Sequence, residues 1–362
     1  MTPPTAPTVG EDDTAVELEL GALRELGHSA YRRAGLSAAD AETVVEVQLS
    51  ADLRGVDTHG FQRLPWYVRH LQAGRNNPSP AYRVLRESSV SVVLDADNAL
   101  GQLACVRLAE LTIGRARETG LAVGVSRNSN DWGCGAYYPL MAAEQGLVAF
   151  ATTTSVPTLA PFGSRTRLLG NNPMVYAVPR RSAPPLVLDM ALTPVALGKV
   201  MRAQAERQEI PRAWGFLDDE RRPTTDPSAA LAGVIPAIGG FKGTGLSMMM
   251  NVLAGVLPGG WHSAEVSVGR RGQLMMVLSP GLFGDADRFL DEIESMAARV
   301  GAAEPLPGVD AVYLPGELES LREAEALARG TVRYPRSVVE ELSSMAASLG
   351  IAGPTQVRAS RS

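Results

Sequence analysis

Cysteine is almost missing from this chain: 362 residues hold only Cys105 and Cys134, and neither belongs to a CxxC. That excludes a disulfide framework and a thiolate metal site, and it fits a reducing compartment. Histidine is nearly as scarce. His28, His59, His70 and His262 stand apart, without an HExxH, so no metal centre is predicted. No apolar run approaches the roughly 20 residues that span a bilayer, and the N-terminus lacks a signal-peptide pattern. A cytoplasmic protein with no membrane partner is the expectation. Positive charge is also in short supply: 34 Lys and Arg against 39 Asp and Glu, a net charge of -5. The basic residues are scattered, so nucleic acid is not an expected partner.

The common catalytic fingerprints are absent too. Gly133-Cys134-Gly135 and Gly243-Thr244-Gly245 do not complete the GxGxxG of a Rossmann domain. Gly198-Lys199 is followed by Val200, which rules out a P-loop. A GxSxG nucleophile elbow is missing as well.

What is present is an α/β pattern. Residues 1–12, rich in Pro, Thr and acid, read as a loose tail. Over 13–80 the text reads as helices: an amphipathic stripe from Val16 to Ala34, a second helix after the capping pattern Ser37 to Asp40, and a third over Leu64 to Leu71. Over 81–284 short apolar runs bounded by Gly, Pro or Asn predict strands, among them Leu121 to Val125, Leu147 to Thr153, Met174 to Val178, Leu186 to Asp189 and Leu274 to Leu278. Helical stretches lie between some of them. Residues 285–362 return to helices expected to pack with the N-terminal ones. The fold class that follows is α/β, with a mixed sheet at the centre and a helical layer from both termini.

Four polar, glycine-containing segments break this background. Arg54 to Leu64 gathers Arg54, Asp57, His59 and Arg63; a guanidinium there can take a carboxylate through two hydrogen bonds, or the segment is a solvated surface turn. Asn128 to Gly135 follows a strand, where α/β proteins place chemistry, although Asn, Ser, Asp and Gly also favour plain turns. Leu169 to Pro173 and Leu188 to Ala191 form the third. Gly239 to Gly245 runs into a helix, where free backbone N–H groups and Lys242 suit a phosphate.

Taken together, these segments resemble the malate/L-lactate dehydrogenase family of non-Rossmann oxidoreductases, which includes ureidoglycolate dehydrogenase, sulfolactate dehydrogenase and Δ1-piperideine-2-carboxylate reductase. The matching text is LRGVDTHG from Leu53, RLP from Arg63 with Tyr67, RNSN from Arg127, APFG from Ala160, LGNNP from Leu169, VLDMA from Val187, PTTDP from Pro223 and GGFKG from Gly239. The resemblance implies a mixed-sheet α/β/α fold, NAD(P)H as cofactor, a small carboxylate substrate and a homodimer. It implies a place at the cofactor or substrate for His59, substrate contacts for Arg63 and Tyr67 beside Arg54, and a cofactor lining of Asn172, Pro173, Asp189, Met190, Lys242 and Gly243.

One departure bears on the chemistry. After the Asn-Ser-Asn turn the family has a histidine, the proton donor to the substrate carbonyl; here Asp131 stands there, followed by Trp132 and Gly133. An ordinary carboxyl is ionised at neutral pH and its side chain is shorter than histidine's. Thr154 and Asn171 are smaller departures, from Asn and Thr. Three readings are open. The substrate is a cyclic imino acid that arrives protonated and needs only hydride, with Asp131 stabilising the iminium. Alternatively, Asp131 with a raised pKa, or Tyr138, protonates a 2-oxo acid. In the third, hydride transfer is lost and the fold binds a nucleotide or partner.

Overall fold

The computed structural model describes residues 15–205 and 207–355, so the tail read over 1–12 lies outside them. From the N-terminus come β1 (Val16–Glu19), α1 (Leu20–Arg33), α2 (Ala38–Leu53), α3 (Leu64–Gln72), β2 (Arg83–Glu87), β3 (Ser91–Asp95) and α4 (Gly101–Thr119). Next are β4 (Leu121–Ser129), α5 (Tyr137–Ala143), β5 (Val148–Thr153), β6 (Pro157–Leu159), β7 (Leu169–Gly170), β8 (Met174–Val178) and β9 (Leu186–Met190). The remainder is α6 (Leu197–Ala205), α7 (Pro227–Ala232), α8 (Phe241–Asn251), β10 (Arg271–Leu278), α9 (Ala286–Gly301), α10 (Glu317–Arg329), β11 (Thr331–Tyr334) and α11 (Arg336–Leu349).

The chain divides into two units. One comprises the described residues up to Ala73 and from Glu319; the other is Gly74–Leu318. The grouping of 285–362 with the N-terminal helices therefore needs revision at α9, which belongs to the second unit.

In the first unit the helical stripe read from Val16 starts four residues late. Val16–Glu19 is a strand, paired antiparallel with β11 from Val16 opposite Tyr334 to Glu19 opposite Thr331. Local pattern alone could not find a partner so distant in sequence, and its pairing overrides a helical propensity. The Ser37 cap is present, its Oγ accepting from Asp40 N at 3.1 Å. Between α1 and α2 the fully buried Gln48 accepts from the Tyr31 hydroxyl (2.5 Å) and donates to the Gly60 carbonyl (3.0 Å). A buried amide satisfied on both ends fixes where the chain leaves α2.

The second unit is built on a seven-stranded sheet in the order β2-β3-β4-β10-β5-β8-β9. Only β3 and β4 pair in parallel, the other neighbours being antiparallel. Alternation along β4 sets the layers. A Cβ on Gly124 would lie 2.1 Å from Thr112 Oγ1, so α4 presses on that face. The next residue, Val125, packs on the opposite face with Met250 of α8, Ala254 and Leu274. Successive strand residues point to opposite faces, so helices cover both, as expected of a mixed α/β/α core. A second apolar cluster (Leu159, Val200, Ile210, Phe216, Ala230, Ile235, Ala237) knits β6 to α6 and α7. Cys105 and Cys134 are both buried, and neither is in a disulfide. Among the described residues no helix is long and apolar enough to cross a membrane.

Candidate active site

The end of β4 carries the second polar segment. Asn128 sits at φ +54, a left-handed conformation that Asn tolerates better than most residues. Asn130 is then held on every side. Its amide nitrogen donates to Ala99 O (2.8 Å) and Asn98 Oδ1 (2.9 Å), and its side-chain oxygen accepts from Gly269 N (2.7 Å). Gly101, opening α4, lacks the Cβ that would lie 2.2 Å from the Asp131 carbonyl oxygen. Helix and turn therefore touch backbone to backbone, and Asp131 has little freedom to shift.

The Asp131 side chain faces a partner that no sequence motif contains. Its Oδ2 lies 2.8 Å from Arg271 Nη1, and the two side chains are only 16% and 15% exposed. Its Oδ1 accepts from Gly133 N at 3.1 Å. Arg271 is the first residue of β10 and stands opposite Ser129 in the ladder. It lies 140 positions from Asp131, beyond the reach of any spacing argument. Thr154, one of the departures from the family text, braces the next residue: its Oγ1 accepts from Gly272 N (3.0 Å) while its own N–H donates to Gly272 O (2.9 Å). Tyr138, the alternative proton donor, is buried and donates its hydroxyl to the Trp132 carbonyl.

The other motifs of this unit join the same frame through hydrogen bonds. Asp189 on β9 accepts from Ala136 N at 2.9 Å, which ties the third segment to the turn after Asp131. Asn171, the other departure, accepts from Leu192 N at 2.8 Å. Asn172 is fully buried at φ +34; it accepts from Ser155 N (2.9 Å) and donates to Ser247 O on α8 (2.9 Å). Pro173 and Met190 are half-buried beside these turns. At the head of α8, Gly239 and Gly240 take φ of +60 and +63, conformations that glycine adopts without penalty. Gly243 is buried where a Cβ would come within 2.1 Å of Ile238 O, and Lys242 is exposed.

Beside this glycine turn lies a cleft of about 570 Å³, walled by Phe162, Trp214, Pro236, Ile238, Gly240 and Thr244, among others. A Cβ on Gly240 would crowd the Phe162 ring at 3.3 Å, so the missing side chain keeps the opening free. The volume falls within the usual range for a small-molecule or cofactor site. Flat aromatic walls, glycine N–H groups at a helix start and a nearby lysine fit a dinucleotide.

The first unit holds the remaining predicted residues. Arg54 is buried with its guanidinium 2.8 Å from Glu323, so its charge is matched within the protein. His59 ends a short helical turn, Asp57–His59, with Nδ1 2.9 Å from Thr58 Oγ1. Arg63 stacks over Trp66 at 5.3 Å, and its Nε is buried without a hydrogen-bond partner. Tyr67 is 1% exposed. The loop is anchored from below by Asp52, whose Oδ2 accepts from Phe61 N and from the Tyr334 hydroxyl, both at 2.7 Å. A Cβ on Gly60 would collide with that carboxyl at 1.9 Å.

Sheet, braced turns and cleft define an α/β protein whose candidate ligand site owes nothing to a Rossmann fingerprint. The chain belongs to the malate/L-lactate dehydrogenase family, whose profile matches residues 18–343. It is 34% identical to malate dehydrogenase from Pyrococcus horikoshii over 331 residues, 88% of this chain and 91% of that one. It is 35% identical to ureidoglycolate dehydrogenase (NAD(+)) from Escherichia coli over 317 residues, 85% of this chain and 90% of that one. The solved structure of Δ1-piperideine-2-carboxylate reductase from Pseudomonas syringae superposes with a TM-score of 0.80 at 29% identity, covering 91% of this chain and 99% of that one. The protein is an oxidoreductase of this family.

Proposed function

We propose that the protein is an NAD(P)H-dependent reductase that delivers hydride to C2 of a small carboxylate, and that the substrate is a cyclic 2-imino acid rather than a 2-oxo acid. The observation that carries this reading is the engagement of Asp131 by Arg271 and Gly133 N. Both carboxylate oxygens accept from fixed donors, so Asp131 serves as an oriented charge and not as a source of protons. The hydroxyl of Tyr138 is likewise committed to Trp132 O. A 2-oxo acid accepting hydride becomes an alkoxide and needs a proton, a contribution of roughly 10²–10⁴ in rate. A protonated imine accepting hydride becomes a neutral amine with no further proton. The Asp131 carboxylate counters the iminium charge before transfer, while Arg271 holds that carboxylate in place.

When bound, the cofactor supplies the hydride from its nicotinamide ring. Asn172, Pro173, Asp189, Met190, Lys242 and Gly243 would hold it, Lys242 by charge and the others by shaping the turns around it. Arg63 takes the substrate carboxylate, a role that its partnerless buried Nε supports. Tyr67 and His59 shape the same region, and Arg54 keeps the loop in place through Glu323. The homodimer and the cytoplasmic setting expected from the sequence complete the reading.

The test compares NAD(P)H oxidation by the purified protein with Δ1-piperideine-2-carboxylate and with pyruvate and oxaloacetate. The imine should turn over with kcat/KM at least about a hundredfold higher, and Asp131→Asn should lower that value by about tenfold or more. Equal turnover of a 2-oxo acid would sink the imine assignment. Failure of both nucleotides to bind would remove the reductase reading altogether.

A further inference from the structure

The walls of the cleft beside α8 carry almost no charge. Among the described residues that line it, Arg221 is the one charged side chain, and no carboxylate joins it. Arg221 closes a turn in which its N–H donates to Asp218 O at 3.0 Å, and its backbone sits at φ +68. That conformation is uncommon outside glycine. The neighbouring acids are occupied elsewhere. Arg222 places Nε 2.9 Å from Asp218 Oδ2 and Nη1 2.9 Å from Glu220. Asp219 is exposed and takes no part in the lining. Among the described residues the Arg221 guanidinium has no side-chain hydrogen bond or ion pair, and it is free to meet a ligand.

NAD and NADP differ by one phosphate, on the 2′ position of the adenosine ribose. Sites that prefer NAD commonly hold the ribose hydroxyls with an acidic side chain, which also repels a 2′-phosphate; sites that prefer NADP present an arginine. This cleft has the arginine and lacks the acid. We infer that the protein selects the 2′-phosphorylated cofactor, with Arg221 as the residue that binds the extra phosphate. The inference rests on the cleft's being the dinucleotide site of the proposed reductase. The pyrophosphate is common to both cofactors, so the groups that would hold it, Lys242 and the N–H groups of the glycine turn, would not discriminate. A guanidinium meets a phosphate through two parallel, charge-assisted hydrogen bonds, which lysine can replace in charge but not in geometry.

Calorimetric titration of the full chain with NADP+ and with NAD+, without substrate, tests this directly. NADP+ should bind at least about tenfold more tightly. Arg221→Gln should weaken NADP+ by about 10- to 100-fold and leave NAD+ within about twofold, while Arg221→Lys should retain part of the preference. Because Arg221 lies in an exposed turn, both variants should keep the wild-type thermal transition. Tighter or equal binding of NAD+ by the wild type overturns the inference and leaves the reductase reading intact. So does a loss of both cofactors to the same degree in Arg221→Gln. If neither nucleotide binds the folded wild-type chain, the reductase reading itself fails and takes this inference with it.

Discussion

Asp52 lies beneath the Asp57–Arg63 loop with its Oδ1 buried and without a hydrogen-bond partner. Its carboxyl is pushed up to about 8, first by burial and further by the charge of Asp57, against the hydrogen bonds from Phe61 and Tyr334. In the unfolded chain an aspartate titrates near ~3.9. Between about pH 4 and about pH 8 the folded protein therefore retains a proton that the unfolded chain has released. Stability from this group falls as pH rises through that window, by up to ~1.4 kcal/mol per pH unit. Urea midpoints measured from about pH 5 to about pH 8 should decline more steeply for the wild type than for Asp52→Asn. Parallel slopes would show that Asp52 does not hold that proton. None of this was legible in the sequence, where Asp52 is one more acid in a helix; its role depends on Tyr334, 282 positions away. Arg271 escaped notice for the same reason. Asp131, Asn172 and Lys242 stood out because glycine- and asparagine-rich turns announce themselves locally.

At the scale of elements, β4, β8, β9 and α8 are held in fixed relation by side chains that bridge their ends. Asn172 is the busiest of these, reaching Ser155 on one side and Ser247 on the other from a backbone at φ +34. Replacing it with alanine removes the acceptor of Ser155 N and a second donor to Ser247 O, and a buried polar group left unmatched costs ~1–3 kcal/mol. Asn172→Ala should therefore lower the thermal midpoint by several degrees and weaken cofactor binding in titration; an unchanged affinity would separate this brace from the cofactor site. The strands with continuous apolar text, such as β5 and β8, were readable from composition and their Gly or Asn borders. Those made by pairing were not. β1 resembles the first turn of a helix until β11 is seen beside it. β10 begins at Arg271, three residues before its apolar run, because Gln273 pairs with Thr153 and Ser126 in the ladder. β2 is exposed along its whole length and offers no periodic signal.

For the molecule as a whole, ligand and stability are linked. A cofactor that binds only the folded second unit at about one hundred times its Kd stabilises that unit by ~2.7 kcal/mol. The thermal transition should rise with NADP+ concentration and follow the logarithm of the free ligand; a midpoint that ignores the nucleotide would contradict a site in this unit. Both termini feed the first unit, whereas the second is one unbroken stretch. The antiparallel pair of β1 with β11 and the Arg333–Glu17 ion pair close a loop of 316 positions. Synthesis on the ribosome runs from the N-terminus, and domains fold as units once their chain is complete. The second unit has all its strands before Tyr334 has been made. Helices α1 to α3 precede the second unit and must wait for β11 and α11 that follow it, so the segment carrying His59 and Arg63 is translated before the second unit and finished after it.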